Sequence, residues 1–215
     1  LKSDLNMDNL GILLAFAAAL AWGTYMVPFK LSRAEDFYLY QFLLGAGILI
    51  SGFIISLIFG YSFNLSGLAL LSGIIWTLAS AVSLTAISNL GLSKAAPIMA
   101  SLVILGTFLW GVLAFGEIPS GLLSGSVGIL AIIVGVIIVS TTSSTQSQSF
   151  KKGLAAAILA GLLWGSQITP LKLAGLQIAE SFFPVCLGIF LTGLILLVYK
   201  KVKFKNEAVA AALLS

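Results

Sequence analysis

Charged side chains divide this chain into long apolar runs instead of alternating with apolar positions. No Asp, Glu, Lys or Arg falls between Asp36 and Lys94 or between Glu117 and Lys151. Both gaps exceed the roughly 20 apolar residues that one membrane-spanning helix needs. Turns rich in Gly, Ser and Asn interrupt them, as at Gly60 to Ser66 and Gly91 to Lys94. The pattern predicts helices over about Leu10 to Leu31, Phe37 to Phe59, Gly67 to Leu90, Ala95 to Gly116 and Ser120 to Ser140. A sixth opens at Gly153 and a seventh covers Phe182 to Tyr199. Residues Ala208 to Ser215 would make only about 12 Å of helix against a hydrocarbon core of roughly 30 Å. The chain is therefore expected to stop inside an eighth helix and to be a piece of a longer protein.

One stretch occurs twice. Residues 11–31 and 153–173, 142 apart, agree at nine of 21 positions, including Trp22/Trp164, Pro28/Pro170 and Lys30/Lys172. The chain uses Trp, Pro and Lys sparingly, so apolar composition alone does not align them. A small-residue stripe repeats as well, Ala15, Ala19 and Gly23 in the first copy and Ala157, Gly161 and Gly165 in the second, and lets a neighbouring helix approach closely. Five helices precede the second copy, which must then enter the membrane in the opposite direction. The expected fold is all-α: a polytopic membrane helix bundle built as an inverted five-plus-five helix repeat, truncated after about seven helices. Its parts are residues 1–140 as the first five-helix repeat, 141–152 as a polar linker and 153–215 as the incomplete start of the second repeat.

Composition agrees with a bilayer as solvent: 60% hydrophobic residues, 8% charged, no His and a mean hydropathy of +1.14. That leaves too little polar surface to coat a soluble globule. The single Cys186 offers neither a disulfide framework nor metal-ligand spacing, and no cofactor or metal is expected. The net charge of +4 comes largely from Lys200, Lys201, Lys203 and Lys205, which read as a basic loop beside a span and not as a nucleic-acid patch. Lys30, Arg33, Lys94, Lys151, Lys152 and those four lysines fall on one side of the predicted bundle, with Lys2 and Lys172 on the other. The positive-inside rule makes the first side cytoplasmic and the N-terminus external.

Candidate chemistry concentrates in the repeated motif. A proline inside a helix cannot donate its own hydrogen bond and clashes with the carbonyl four residues earlier. Pro28 thus frees the carbonyl of Thr24, and Pro170 that of Ser166. Unpaired backbone at membrane depth is tolerated only where protein or a water-filled cavity satisfies it, which puts both kinks on an internal path. Taken alone, the motif could also be a packing and bending device. Lys30 and Lys172, near the helix ends, are expected to snorkel to the surface.

The residues Trp22-Gly23 to Pro28-Phe29-Lys30, Gly73-Ile74-Ile75-Trp76-Thr77, Phe115-Gly116-Glu117, Trp164-Gly165 to Pro170, and Leu187-Gly188-Ile189-Phe190-Leu191-Thr192 resemble the glucose/ribose-uptake branch of the drug/metabolite transporter superfamily. The resemblance covers nearly the whole chain from Leu10 onward. It implies ten helices as five plus five, carbohydrate import and proton coupling, and it puts both termini in the cytosol, which differs from the charge count.

The expected function is that of a secondary transporter in the plasma membrane. It imports a sugar or similar small polar solute by alternating access, with protons as coupling ion and the lipid bilayer as surroundings. The rings of Trp22, Trp76 and Trp164 would face the apolar side of a sugar while Thr24, Tyr25, Ser166 and Gln167 supply hydrogen bonds, all lining one central cavity. The alternatives are an exporter of metabolites, amino acids or drugs, and a non-transporting scaffold or receptor. An enzyme is not expected, since there is no His, no paired carboxylate and no metal-ligand cluster.

Overall fold

The computed structural model describes residues 7–24, 37–117, 122–141 and 148–201, and every regular element among them is a helix. In chain order these are α1 (Met7–Thr24), α2 (Phe37–Phe59), α3 (Gly67–Leu90), α4 (Leu92–Phe115), α5 (Leu122–Thr141), α6 (Gln148–Ser166), the five-residue α7 (Thr169–Leu173) and α8 (Ile178–Tyr199). Five described segments are long and apolar enough to cross a membrane: α2, α3, α4, Ser149–Leu173 and α8. Shorter apolar stretches run over Gly11–Ala21 in α1 and Gly125–Ile138 in α5. The expected C-terminal stub lies outside the described residues.

Helices α2 and α3 occupy the predicted spans, and three of the boundaries that differ have local reasons. α4 starts at Leu92 because Gly91, at φ 76°, reverses the chain within one residue. α6 begins inside the expected polar linker, where Phe150 already packs against the core formed by α3, α4 and α6. α8 begins at Ile178, ahead of the predicted Phe182, because the Glu180 carboxylate accepts the backbone N–H of Gln177 at 3.1 Å and closes the first turn.

α3 lies at the centre, against α6 and α8, with α4 also packed on α6, α2 on α8 and α5 on α4. Small residues make these contacts close. A Cβ added at Gly161 of α6 would stand 2.6 Å from the Leu102 Cβ and 2.8 Å from the Met99 carbonyl oxygen of α4. At Gly73 of α3 it would meet the carbonyl oxygen of Val185 in α8, and at Gly188 of α8 that of Leu70 in α3. The stripe Ala157, Gly161 and Gly165 is thus buried against α4, as its spacing predicts. In α1 the matching Ala15, Ala19 and Gly23 are exposed among the described residues.

Buried hydroxyls at the α3–α8 contact find backbone acceptors. Thr77 donates to Gly73 O at 3.1 Å in its own helix and to Ile189 O at 3.3 Å in α8. Thr192 donates to Gly188 O at 2.8 Å. Such back-bonding lets a hydroxyl sit in an apolar interior without an unpaired donor.

The contacts also fix direction. Along α2 and α8, Phe42 lies against Gly193, Gly45 against Phe190 and Gly52 against Cys186, so the two helices are antiparallel. α8 carries the copy of the α2 sequence, with Leu187-Gly188 under Leu44-Gly45. Opposite senses for these two helices are what the expected inverted repeat requires. At one end of the bundle Gly153 packs on Asn89 and Leu90, and Lys200 lies 5.3 Å from the Tyr38 ring centroid. Lys94, Lys151, Lys152, Lys200 and Lys201 gather there. At the other end Ser62 N–H donates to Ala179 O at 2.9 Å, and Lys172 pairs with Glu117. The lysines described in the structure therefore divide between the two ends as the sequence count placed them.

Candidate functional site

The site grows out of the break in the repeated helix. α6 ends at Ser166, residues 167 and 168 form a turn, and α7 resumes at Thr169 with Pro170 in its first turn. Proline's fixed φ and missing N–H suit a helix start, and the same features prevent α6 from continuing unbroken. The expected kink is therefore seen as a two-residue turn, with Ile168 still in the right-handed helical region and Ser149–Leu173 continuing as one span. Backbone carbonyls on either side of it take donors from neighbouring helices. Ser72 of α3 donates to Gln167 O at 2.6 Å, and Thr107 of α4 donates to Gly165 O at 3.3 Å while also reaching Val103 O at 2.9 Å.

Ser166 sits at the break itself. Its Oγ donates to Leu162 O at 2.8 Å and accepts the indole N–H of Trp110 at 2.7 Å. The close approach behind this contact comes from Gly165, where a Cβ would stand 2.8 Å from Val103 O and 3.1 Å from the Gly106 Cα. Two open depressions flank α4. One of about 480 Å³ is lined by Gly106, Leu109, Trp110, Leu113, Ala114, Leu162 and Ser166. The other, of about 560 Å³, runs from Val103 past Thr107 and Gly111 to Glu117. Beyond them the Lys172 ammonium pairs with the Glu117 carboxylate and lies 4.5 Å from the Phe115 ring centroid. Gly116, in the left-handed conformation at φ 64°, ends α4 and turns Glu117 toward that partner.

The predicted site residues fall as follows. Trp164 is buried in the core between α3, α4 and α6, and Trp76, half-buried, packs against the same core. Ser166 and Gln167 are half-buried at the break. Thr24 is exposed, and its Oγ1 donates to Leu20 O at 2.8 Å. That bond is the counterpart, 142 residues earlier, of Ser166 to Leu162. The side chain of Trp22, together with Tyr25 and Pro28, lies outside the described residues. The structure thus joins Trp76 to Trp164 through one core and Ser166 to Trp110 through a hydrogen bond. Sequence reasoning left Trp110, Thr107 and Ser72 out of the site. Thr107 and Trp110 stand three apart and share a helix face, a spacing that could have drawn attention to them. Among the described residues no three His, Cys, Asp or Glu side chains gather where they could hold a metal ion.

A bundle of long apolar helices around an interrupted one defines a multi-pass integral membrane protein. The chain belongs to the Sugar transport protein family, whose profile matches residues 13–215. It is 30% identical over 151 residues to a Bacillus anthracis protein named as a glucose uptake protein, GlcU, covering 66% of this chain and 52% of that one. A Lactobacillus johnsonii protein named for sugar uptake is 31% identical over 150 residues, covering 67% and 52%. A glucose uptake relative from Staphylococcus aureus strain N315 is 26% identical over 219 residues, covering 94% and 73%. The chain thus spans about half the length of the first two relatives in these matches. No solved structure matches it.

Proposed function

We propose that this protein imports a sugar, or a similar small polar solute, across the plasma membrane, presenting one site to each side in turn as its two oppositely directed repeats move against each other. The observation that carries the proposal is the α6–α7 break, where backbone carbonyls and hydroxyls are held inside a bundle of apolar helices. Irregular backbone at membrane depth belongs where protein or a water-filled path receives it, and transporters place solute sites at such interruptions. Family membership and the names of the relatives support a sugar as the solute. A neutral polyhydroxylated ligand needs hydrogen-bonding groups and aromatic faces and does not need charge.

In this proposal Trp22, Thr24, Tyr25, Trp76, Trp164, Ser166 and Gln167 contribute to the site, with Pro28 and Pro170 setting the two interruptions. Residues 1–140 and 153–215 act as the two moving units, joined by 141–152. Proton coupling rests on the family resemblance alone. The test is uptake of a labelled panel containing glucose and ribose by cells expressing the complete parent gene, with and without a proton gradient. Saturable uptake of a sugar that collapses with the gradient is expected. Uptake no higher than in the empty host, for every sugar tried, would overturn the proposal, and uptake indifferent to the gradient would remove the coupling.

A further inference from the structure

Trp110 is a tryptophan in an apolar helix with 40% of its surface exposed, and the simplest role for such a residue is anchoring at the membrane interface. An interfacial anchor turns its indole N–H toward headgroups and water. Trp110 turns its N–H inward, across to α6, where Ser166 Oγ accepts it at 2.7 Å. Ser166 is itself held by its bond to Leu162 O. The indole edge is therefore fixed to the rim of the helix break while the ring lines the depression of about 480 Å³ between α4 and α6. That volume falls within the roughly 300–1,000 Å³ of small-molecule sites. The other lining groups named above are apolar, so hydrogen bonding to a solute there falls to the Ser166 oxygen, whose proton goes to Leu162 O and which keeps a lone pair beside the one that accepts from Trp110.

We infer that Trp110 is the aromatic platform of the solute site: its ring stacks on the apolar C–H face of a pyranose, and Ser166 sets the ring's angle. This rests on the sugar-transport proposal and adds a specificity-determining residue to it. The depression lies at the end of the bundle away from Lys94, Lys151, Lys152, Lys200 and Lys201. By the positive-inside rule that end is external, where an imported solute arrives. The hydroxyls of a stacked pyranose would point along its rim toward Ser166, so ring and hydroxyl together read a ligand with one apolar face and one polar edge.

The test is equilibrium binding of labelled D-glucose to the protein expressed from the complete parent gene and purified into nanodiscs, comparing wild type with Trp110→Phe, Trp110→Leu and Ser166→Ala, each checked for wild-type helical content by circular dichroism. Phe keeps an aromatic face and Leu keeps apolar bulk without one. Trp110→Leu is expected to weaken binding by about three- to tenfold, the scale of one aromatic contact, with Trp110→Phe retaining most of the affinity and Ser166→Ala falling between. Equal affinities for the Phe and Leu variants, or a Leu variant that binds as wild type does, would overturn the role of Trp110 and leave sugar transport standing. Failure of wild type to bind glucose or any other sugar tried would instead overturn the sugar reading, and this inference with it.

Discussion

Gly73 and Gly47 both stand inside long apolar helices, yet their surroundings differ. A Cβ at Gly47 would meet nothing within 4 Å, whereas at Gly73 it would run into the Val185 carbonyl oxygen and come within 2.8 Å of the Ile189 nitrogen. Backbone atoms cannot step aside as a flexible side chain can. Gly73→Ala is therefore expected to destabilise the bundle by about 1–3 kcal/mol, and Gly47→Ala to be neutral or slightly stabilising because alanine favours the helix. Thermal unfolding of the two variants in detergent reads the difference. The stripe of Ala157, Gly161 and Gly165 was legible in the sequence because small residues four apart mark a helix–helix seam. The need for glycine at position 73 was not, since its obstacle is a carbonyl more than 100 residues away. Lys172 was expected only to snorkel; its carboxylate partner, 55 residues earlier, is equally invisible to local pattern. With both side chains largely solvated, that pair contributes little to stability.

Among the elements, α2 and α3 could be drawn from the sequence because charge-free runs and Gly-rich turns bound them. The interruption in α6 was foreseen at Pro170, but its form depends on partners from other helices. A lone proline predicts a bend. The carbonyls at the turn also take donors, and these come from Ser72 and Thr107, which nothing in the sequence ties to position 167. Ser72→Ala should leave Gln167 O without that donor and destabilise the fold by roughly 0.6 kcal/mol, up to about 1.7 kcal/mol, the range for hydrogen bonds between membrane helices. Thermal unfolding indistinguishable from wild type would show that the turn finds another donor. The late prediction for the start of α8 has the opposite cause. Glu180 lies ahead of the apolar run that set the predicted start, and at the first turn of a helix its carboxylate is a cap.

At the scale of the whole molecule, helix parity predicts that the second repeat runs in reverse, and the antiparallel run of α2 along α8 is the direction that expectation requires of those two helices. The two-ended distribution of lysines was legible as well, because it depends only on the number of crossings. The contact made by Trp110 was not. Repetition drew attention to Trp22 and Trp164; Trp164 is buried in the core against which Trp76 packs, and the tryptophan bonded to Ser166 is Trp110, which belongs to no repeated motif. The central claim is a solute site at the α6–α7 break, reached from the lysine-poor end of the bundle. Its most direct test is Ser166→Cys labelled with a membrane-impermeant maleimide in right-side-out vesicles, with and without D-glucose. Native Cys186 is buried and should stay silent. The account predicts labelling from outside that glucose slows. Labelling seen only after the inner face is opened, or a rate unchanged by glucose, would contradict it.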